Sequence, residues 1–171
     1  MTEKVIYEGP IFTLVKEDVT IKNKVYQRDI IHHPGGVGIL CMINHKILLV
    51  KQVRQAIDLE TIEIPAGKLE YGEDPLECGM RELNEETGYA CSSMRLIQSF
   101  YTTPGFCDEK LWIYEAIDPI EAKEHLPQDE DEDLHSFWLP LEEAYSKVLN
   151  QEITDAKTII AILYAVAARR E

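Results

Sequence analysis

The 171-residue sequence predicts an α+β fold. Three observations carry that expectation. Residues 3–33 alternate apolar and polar, as half-buried strands do, and strand-like stretches recur at 94–101 and 110–116. A capped period-3.6 stretch occupies residues 75–87. A second, more apolar one follows residue 154. No repeat, low-complexity segment or interdomain linker interrupts the chain, so residues 1–171 are expected to form one domain, with strands over 1–33 and a core over 34–171.

In chain order, residues 3–33 alternate apolar and polar, as in Val25, Gln27 and Asp29, and read as strands. Gly36 to Ile43 and Lys46 to Val53 flank Asn44-His45 and read as a hairpin. Asp74 is placed to cap a helix, with Pro75 at its first position and Gly88 at its left-handed end. Leu76, Met80 and Leu83 fall on the core face of that helix. Met94 to Tyr101, Lys110 to Ala116 and Ser136 to Leu139 are further strands. Leu141 to Val148 and Asp155 to Arg170 are helices, the second opened by Thr154-Asp155 and closed by Arg169-Arg170.

Charge and composition narrow the function. The formal net charge of −14 argues against a nucleic-acid duplex as partner. The longest apolar run, Ile159 to Ala168, is far too short to span a bilayer, and the N-terminal residues have no targeting pattern. A cytoplasmic protein without a membrane partner is the expectation. The four cysteines form no Cys-x-x-Cys pair and are expected to be buried free thiols. His32-His33, before Pro34, is read as a strand end rather than a ligand pair.

The most informative segment is GKLEYGEDPLECGMRELNEETGY, Gly67 to Tyr89. Glu82, Glu85 and Glu86 are related by helical spacing and project from one face. Their placement is locally unfavourable. Glu82 and Glu86 repel one turn apart, at a cost of about 0.2–0.5 kcal/mol, and both lie toward the helix end that disfavours anions. A divalent cation reverses both penalties. Three glutamates alone read as a solvated acidic face, but Arg81, Glu73 and the Gly67 turn accompany them here.

Read as Gly, five residues, Glu, seven residues, then Arg-Glu-Leu-x-Glu-Glu-x-Gly-Tyr, the segment resembles the Nudix hydrolase signature at every specified position. The resemblance implies a Nudix fold, an α/β/α sandwich with a mixed sheet between helices. It also implies hydrolysis of a nucleoside diphosphate linked to another group. By this resemblance Glu82 and Glu86 are principal metal ligands, Glu85 is an additional one, and the Ala66 carbonyl joins them. Arg81, partnered by Glu73, orients the carboxylates. Mg²⁺, with Mn²⁺ as an alternative, suits an oxygen-rich set that leaves room for waters.

Weaker likenesses point to the ADP-ribose pyrophosphatase subfamily. They are Pro104, 16 residues after Gly88, the run Glu63-Ile64-Pro65-Ala66-Gly67, HHPGGVGIL, and Val53-Arg54-Gln55. The chain departs from the last pattern at Ile57, where a second basic residue is usual. Arg54 and Arg28 are candidate phosphate ligands through their planar forks. Glu109 is a candidate for the terminal ribose, and Phe12 or Tyr7 for stacking on adenine. Each also has an ordinary reading: aromatic packing, exposed strand arginines, a loop proline.

The acidic run Asp129 to Asp133 is by itself a solvated loop. By resemblance it supplies Glu130 as general base and Glu132 as a metal ligand. Related enzymes are homodimers whose N-terminal strands reach the partner, which would bring Phe12 and Arg28 to the other subunit's site. The leading expectation is hydrolysis of ADP-ribose to AMP and ribose 5-phosphate. The alternatives are another nucleoside diphosphate sugar or a dinucleotide, and a non-catalytic ADP-ribose sensor.

Overall fold

The computed structural model describes residues 3–128 and 133–169. The chain opens with an antiparallel sheet of β1 (Glu3–Glu8), β2 (Thr13–Ile21) and β3 (Lys24–His32), in that order. Lys22 and Asn23 both have positive φ, 49° and 62°, the two-residue geometry whose twist suits a hairpin. Val15 is the buried apolar residue of these strands, while Val5, Ile6, Tyr7, Val25 and Tyr26 stay exposed. The end of β3 is tied to the rest of the fold: the Ile31 N–H donates to the Phe106 carbonyl at 2.8 Å.

The core elements follow as β4 (Gly36–Leu40), β5 (Met42–Ile43), β6 (Lys46–Arg54), β7 (Leu59–Glu63), β8 (Ala66–Lys68), α1 (Pro75–Thr87), β9 (Tyr89–Ala90), β10 (Ser93–Tyr101), β11 (Lys110–Ile117), β12 (Ile120–Glu121), β13 (His135–Pro140), α2 (Leu141–Leu149) and α3 (Ala156–Ala168). One mixed sheet runs β10-β11-β4-β8, with β11 and β4 parallel and the other pairs antiparallel. A second runs β13-β6-β5, with β7 also on β6. β9 and β12 form a short ribbon.

Strand alternation sorts side chains into two cores. From β4, β6 and β11, the residues Val37, Ile39, Leu48, Tyr114 and Ala116 face one cluster, which Cys78 and Leu83 of α1 complete. Leu40, Ile47, Leu49 and Ile113 face the other, with Leu141, Ala144, Ala161 and Ile162 of α2 and α3. Strand stretches buried on both faces are nearly all apolar, as β4 and residues 47–50 of β6 are. The helix-sheet-helix layering matches the α+β sandwich expected.

Most elements lie where the sequence places them, and α1 matches residue for residue. The hairpin needs correction. Asn44 and His45 do turn the chain, with φ of 48° and 65°. Yet the run from Gly36 to Ile43 is not one strand: it breaks at Cys41, so β4 joins β11 and β8 while only β5 pairs with β6. Both stretches bury apolar side chains, so the pattern stays continuous while the hydrogen-bond partners change. The short strands β7, β8, β9 and β12 were not expected. All four thiols are free, but Cys91 and Cys107 are only half-buried.

Candidate active site

The site is built on α1. Asp74 caps it, with Oδ1 accepting from the Leu76 and Glu77 N–H groups at 2.9 and 3.4 Å. Gly88 ends it in the left-handed region, its N–H donating to the Asn84 carbonyl at 2.8 Å. Leu83 points into the core at 0% exposure, which fixes the helix rotation and places Glu82 and Glu86 against β8. They are 7% and 2% exposed, so the solvated-face reading does not hold for these two. Glu85 is half-buried.

The backbone of β8 touches both carboxylates. The Ala66 N–H donates to Glu86 Oε2 at 2.9 Å. At Gly67 a Cβ would overlap the Glu82 carboxyl, so the close approach requires glycine there. Arg81 gathers the remaining carboxylates. Its Nη1 lies 2.8 Å from Glu82 Oε1 and 2.7 Å from Glu85 Oε2, and its Nε donates to Glu73 Oε1 at 3.2 Å. Glu73 is itself fixed by the Glu70 N–H, donating to its Oε2 at 2.9 Å. Burial disfavours the Arg81 charge, but the neighbouring Glu82 and Glu85 carboxylates raise its pKa overall. For Glu73, burial is outweighed by the Glu70 amide and Arg81, and its pKa is lowered.

Ala66, Glu73, Arg81, Glu82, Glu85 and Glu86 thus converge on one locus. The side chains on its α1 face that could hold a cation are carboxylates, the oxygen chemistry that Mg²⁺ or Mn²⁺ takes. Among the described residues no group of three or more His, Cys, Asp or Glu side chains stands ready as a cage. Mg²⁺ is ordinarily held by one or two carboxylates plus waters and substrate phosphate rather than by such a cage, so the donor set fits it.

Arg54 lies beside this locus, within the electrostatic reach of Glu86. Its guanidinium forks onto Glu63, Nε to Oε1 and Nη2 to Oε2, both at 2.7 Å. Glu63 is 1% exposed and also accepts from Thr61 Oγ1 at 2.7 Å and from Lys157 Nζ. Burial pushes its pKa up, but Arg54 and Lys157 override that and hold the carboxyl at about 2. Sequence reasoning missed the roles of Glu63 and Lys157. The available signal was a lone lysine near the start of an otherwise apolar helix.

The other candidates sit further out. Pro104 lines a cleft of about 250 Å³ with Ile30, Tyr101, Phe106 and Asp108. Glu109 follows it, accepting from Thr102 Oγ1 at 2.6 Å and lying 3.6 Å from His33 Nδ1. Arg28 stacks on Tyr26, 5.7 Å from the ring centroid, and Phe12 meets Tyr7 at 5.6 Å. Among the described residues, Arg28 pairs with no α1 carboxylate. Glu130 and Glu132 lie outside the described residues.

Residues 32–161 match the NUDIX domain. The chain is 42% identical over 163 residues to an ADP-ribose pyrophosphatase of Bacillus subtilis (strain 168), covering 93% of this chain and 87% of that protein. It is 40% identical over 161 residues to a methanol dehydrogenase activator of Bacillus methanolicus, with coverage of 93% and 87%. A crystal structure of an ADP compounds hydrolase superposes with a TM-score of 0.82 over 99% of this chain and 92% of that one, at 20% identity, a likeness of fold. With the full signature running from β8 through α1 to Tyr89, and two of its glutamates buried against Gly67, the chain belongs to the NUDIX domain family and is a Nudix hydrolase.

Proposed function

We propose that the protein hydrolyses the diphosphate of ADP-ribose, giving AMP and ribose 5-phosphate, with Mg²⁺ or Mn²⁺. The observation that carries the reading is the burial of Glu82 and Glu86 against Ala66 and Gly67 of β8. Two anions one turn apart in a shielded place have a function when a cation and a polyanionic substrate share it. The name of the Bacillus subtilis relative supports ADP-ribose as the choice.

Glu82, Glu86, Glu85 and the Ala66 carbonyl would hold the metal, which supplies charge neutralisation and a more acidic water when bound. Arg81 and Glu73 keep those carboxylates in place. Arg54 holds a diphosphate oxygen with the N–H groups that its fork to Glu63 leaves over. Glu109 and the Pro104 loop take the terminal ribose. Glu130 serves as general base and Glu132 as a further metal ligand. Phe12 and Arg28 act at the partner's site in a homodimer formed through β1 to β3, whose exposed Val5, Ile6, Tyr7, Val25 and Tyr26 suit a covered face. No described helix is long and apolar enough to cross a membrane.

The test is a substrate panel with Mg²⁺, reading phosphate released after phosphatase coupling. ADP-ribose is expected to give the highest kcat/KM. A higher value for a GDP-sugar or a dinucleoside polyphosphate refutes the substrate. A monomer mass by light scattering at micromolar concentration refutes the dimer.

A further inference from the structure

Lys157 is the buried cation that the site has not used. It stands in the first turn of α3, 8% exposed, 94 residues from the carboxylate it meets. Its Nζ donates to Glu63 Oε2 and, at 3.1 Å, to Asp155 Oδ1. The other Asp155 oxygen is committed to the helix start, accepting from the Thr158 N–H at 3.0 Å and from Thr158 Oγ1 at 2.6 Å. Thr158 Oγ1 in turn accepts from the Ile64 N–H at 2.8 Å. The first turn of α3 therefore grips both Glu63 and the next residue. Two residues further on is Ala66, whose N–H meets Glu86.

This arrangement exceeds what neutralising Glu63 requires. Arg54 alone forms a bidentate pair with it, which satisfies a buried carboxylate. Arg54, Thr61 and Glu63 all sit on the β6–β7 pair, so without an anchor from another element the fork and its Thr61 contact can shift together. A second cation, rooted in a helix whose Ala161 and Ile162 are fully buried, removes that freedom by fixing the carboxylate plane. Of the five guanidinium N–H groups, those not given to Glu63 then have a set direction.

We propose that Lys157 is a positioning residue for diphosphate binding: it immobilises Glu63, and Glu63 aims the Arg54 guanidinium at the substrate's anion. The inference rests on the reading of Arg54 as a diphosphate ligand. It does not depend on which nucleoside diphosphate sugar is preferred, because all of them carry that anion.

The experiment compares K157M, K157R and wild type, with Mg²⁺, on whichever panel substrate wild type turns over fastest. K157M is expected to raise KM about tenfold with kcat within twofold, and K157R to return KM to within threefold. In an R54M background, K157M should change KM less than twofold, since its effect runs through Arg54. The Arg54 Nε–H resonance, assigned by its loss in R54M, should shift in K157M and stay near its wild-type position in K157R. Should K157M fail to fold, E63Q preserves the side-chain volume and carries the same expectation for KM and for the resonance. An unchanged KM in K157M, full additivity with R54M, or a fall in kcat at constant KM overturns the proposal. If ADP-ribose loses the panel while these effects hold on another substrate, the substrate falls and the positioning role stands.

Discussion

Two charged clusters meet at the Glu63 to Gly67 segment, and they differ in balance. Around Glu63, two cations and two carboxylates close on one another: Arg54 and Lys157 with Glu63 and Asp155. Around Arg81, one cation faces three carboxylates, Glu73, Glu82 and Glu85, with Glu86 beside them on the same helix. Buried charge is tolerated when paired. The balanced cluster is therefore neutral by itself, and its Arg54 keeps N–H groups to spare. The unbalanced one holds anions in excess of its cations, which is how a protein leaves room for a cationic ligand. Only Ile64 and Pro65 separate Glu63 from Ala66, so the rigid cluster steadies the backbone of the incomplete one.

The largest effect that tests this contrast is on turnover. E82Q or E86Q, which removes charge while keeping volume, is expected to lower kcat by orders of magnitude with the circular-dichroism spectrum unchanged. Near-normal turnover in either would mean that the excess charge has no catalytic use. Next comes G67A. The added methyl must displace the Glu82 carboxyl, so a loss of about 1–3 kcal/mol in urea unfolding is expected, together with reduced kcat.

A smaller effect compares the two Asp-capped helices. D74A removes a cap alone and should cost about 1 kcal/mol. D155A removes a cap and a partner of Lys157, so its loss in thermal unfolding should exceed that of D74A. Equal losses would show that the Lys157 network adds nothing to stability.

The smallest effect concerns the seam with the N-terminal sheet. His32 lies between Asp108 Oδ2 at 2.6 Å and Glu3 Oε1 at 2.7 Å. The Asp108 hydrogen bond chiefly raises its pKa above the ordinary 6.5. A raised basic group stabilises the fold fully below its unfolded value, and that contribution fades as pH rises through the folded one. The Tm of wild type minus that of H32N should thus be greatest near or below about pH 6 and shrink toward about pH 9. A difference that grows with pH would contradict the pairing.

Much of this was legible because its causes are local. The α1 boundaries follow from Asp74, Pro75 and Gly88, and the shared face of Glu82 and Glu86 follows from helical spacing. The pairing of Arg81 with Glu73 follows from the loop that precedes the helix by resemblance to the signature. The break at Cys41 was not legible, since an apolar run does not say which strand its hydrogen bonds will reach. Nor was the Arg54 fork: an arginine on a strand and a glutamate nine residues on meet only because β6 and β7 pair, Val50 opposite Glu63. Phe12, in the loop before β2, and Arg28, on β3, stand apart from the α1 carboxylates, and nothing in their local pattern marks that distance.

What the sequence determined alone is the signature helix and the shared face of its glutamates, because caps, spacing and residue type act within a few turns of chain. What the tertiary structure decided is which carboxylates are shielded and what restrains them. Glu85 stays half-buried while Glu82 and Glu86 are covered, and Lys157 reaches Glu63 across 94 residues. Burial and long-range pairing depend on how layers stack, and no local pattern encodes that.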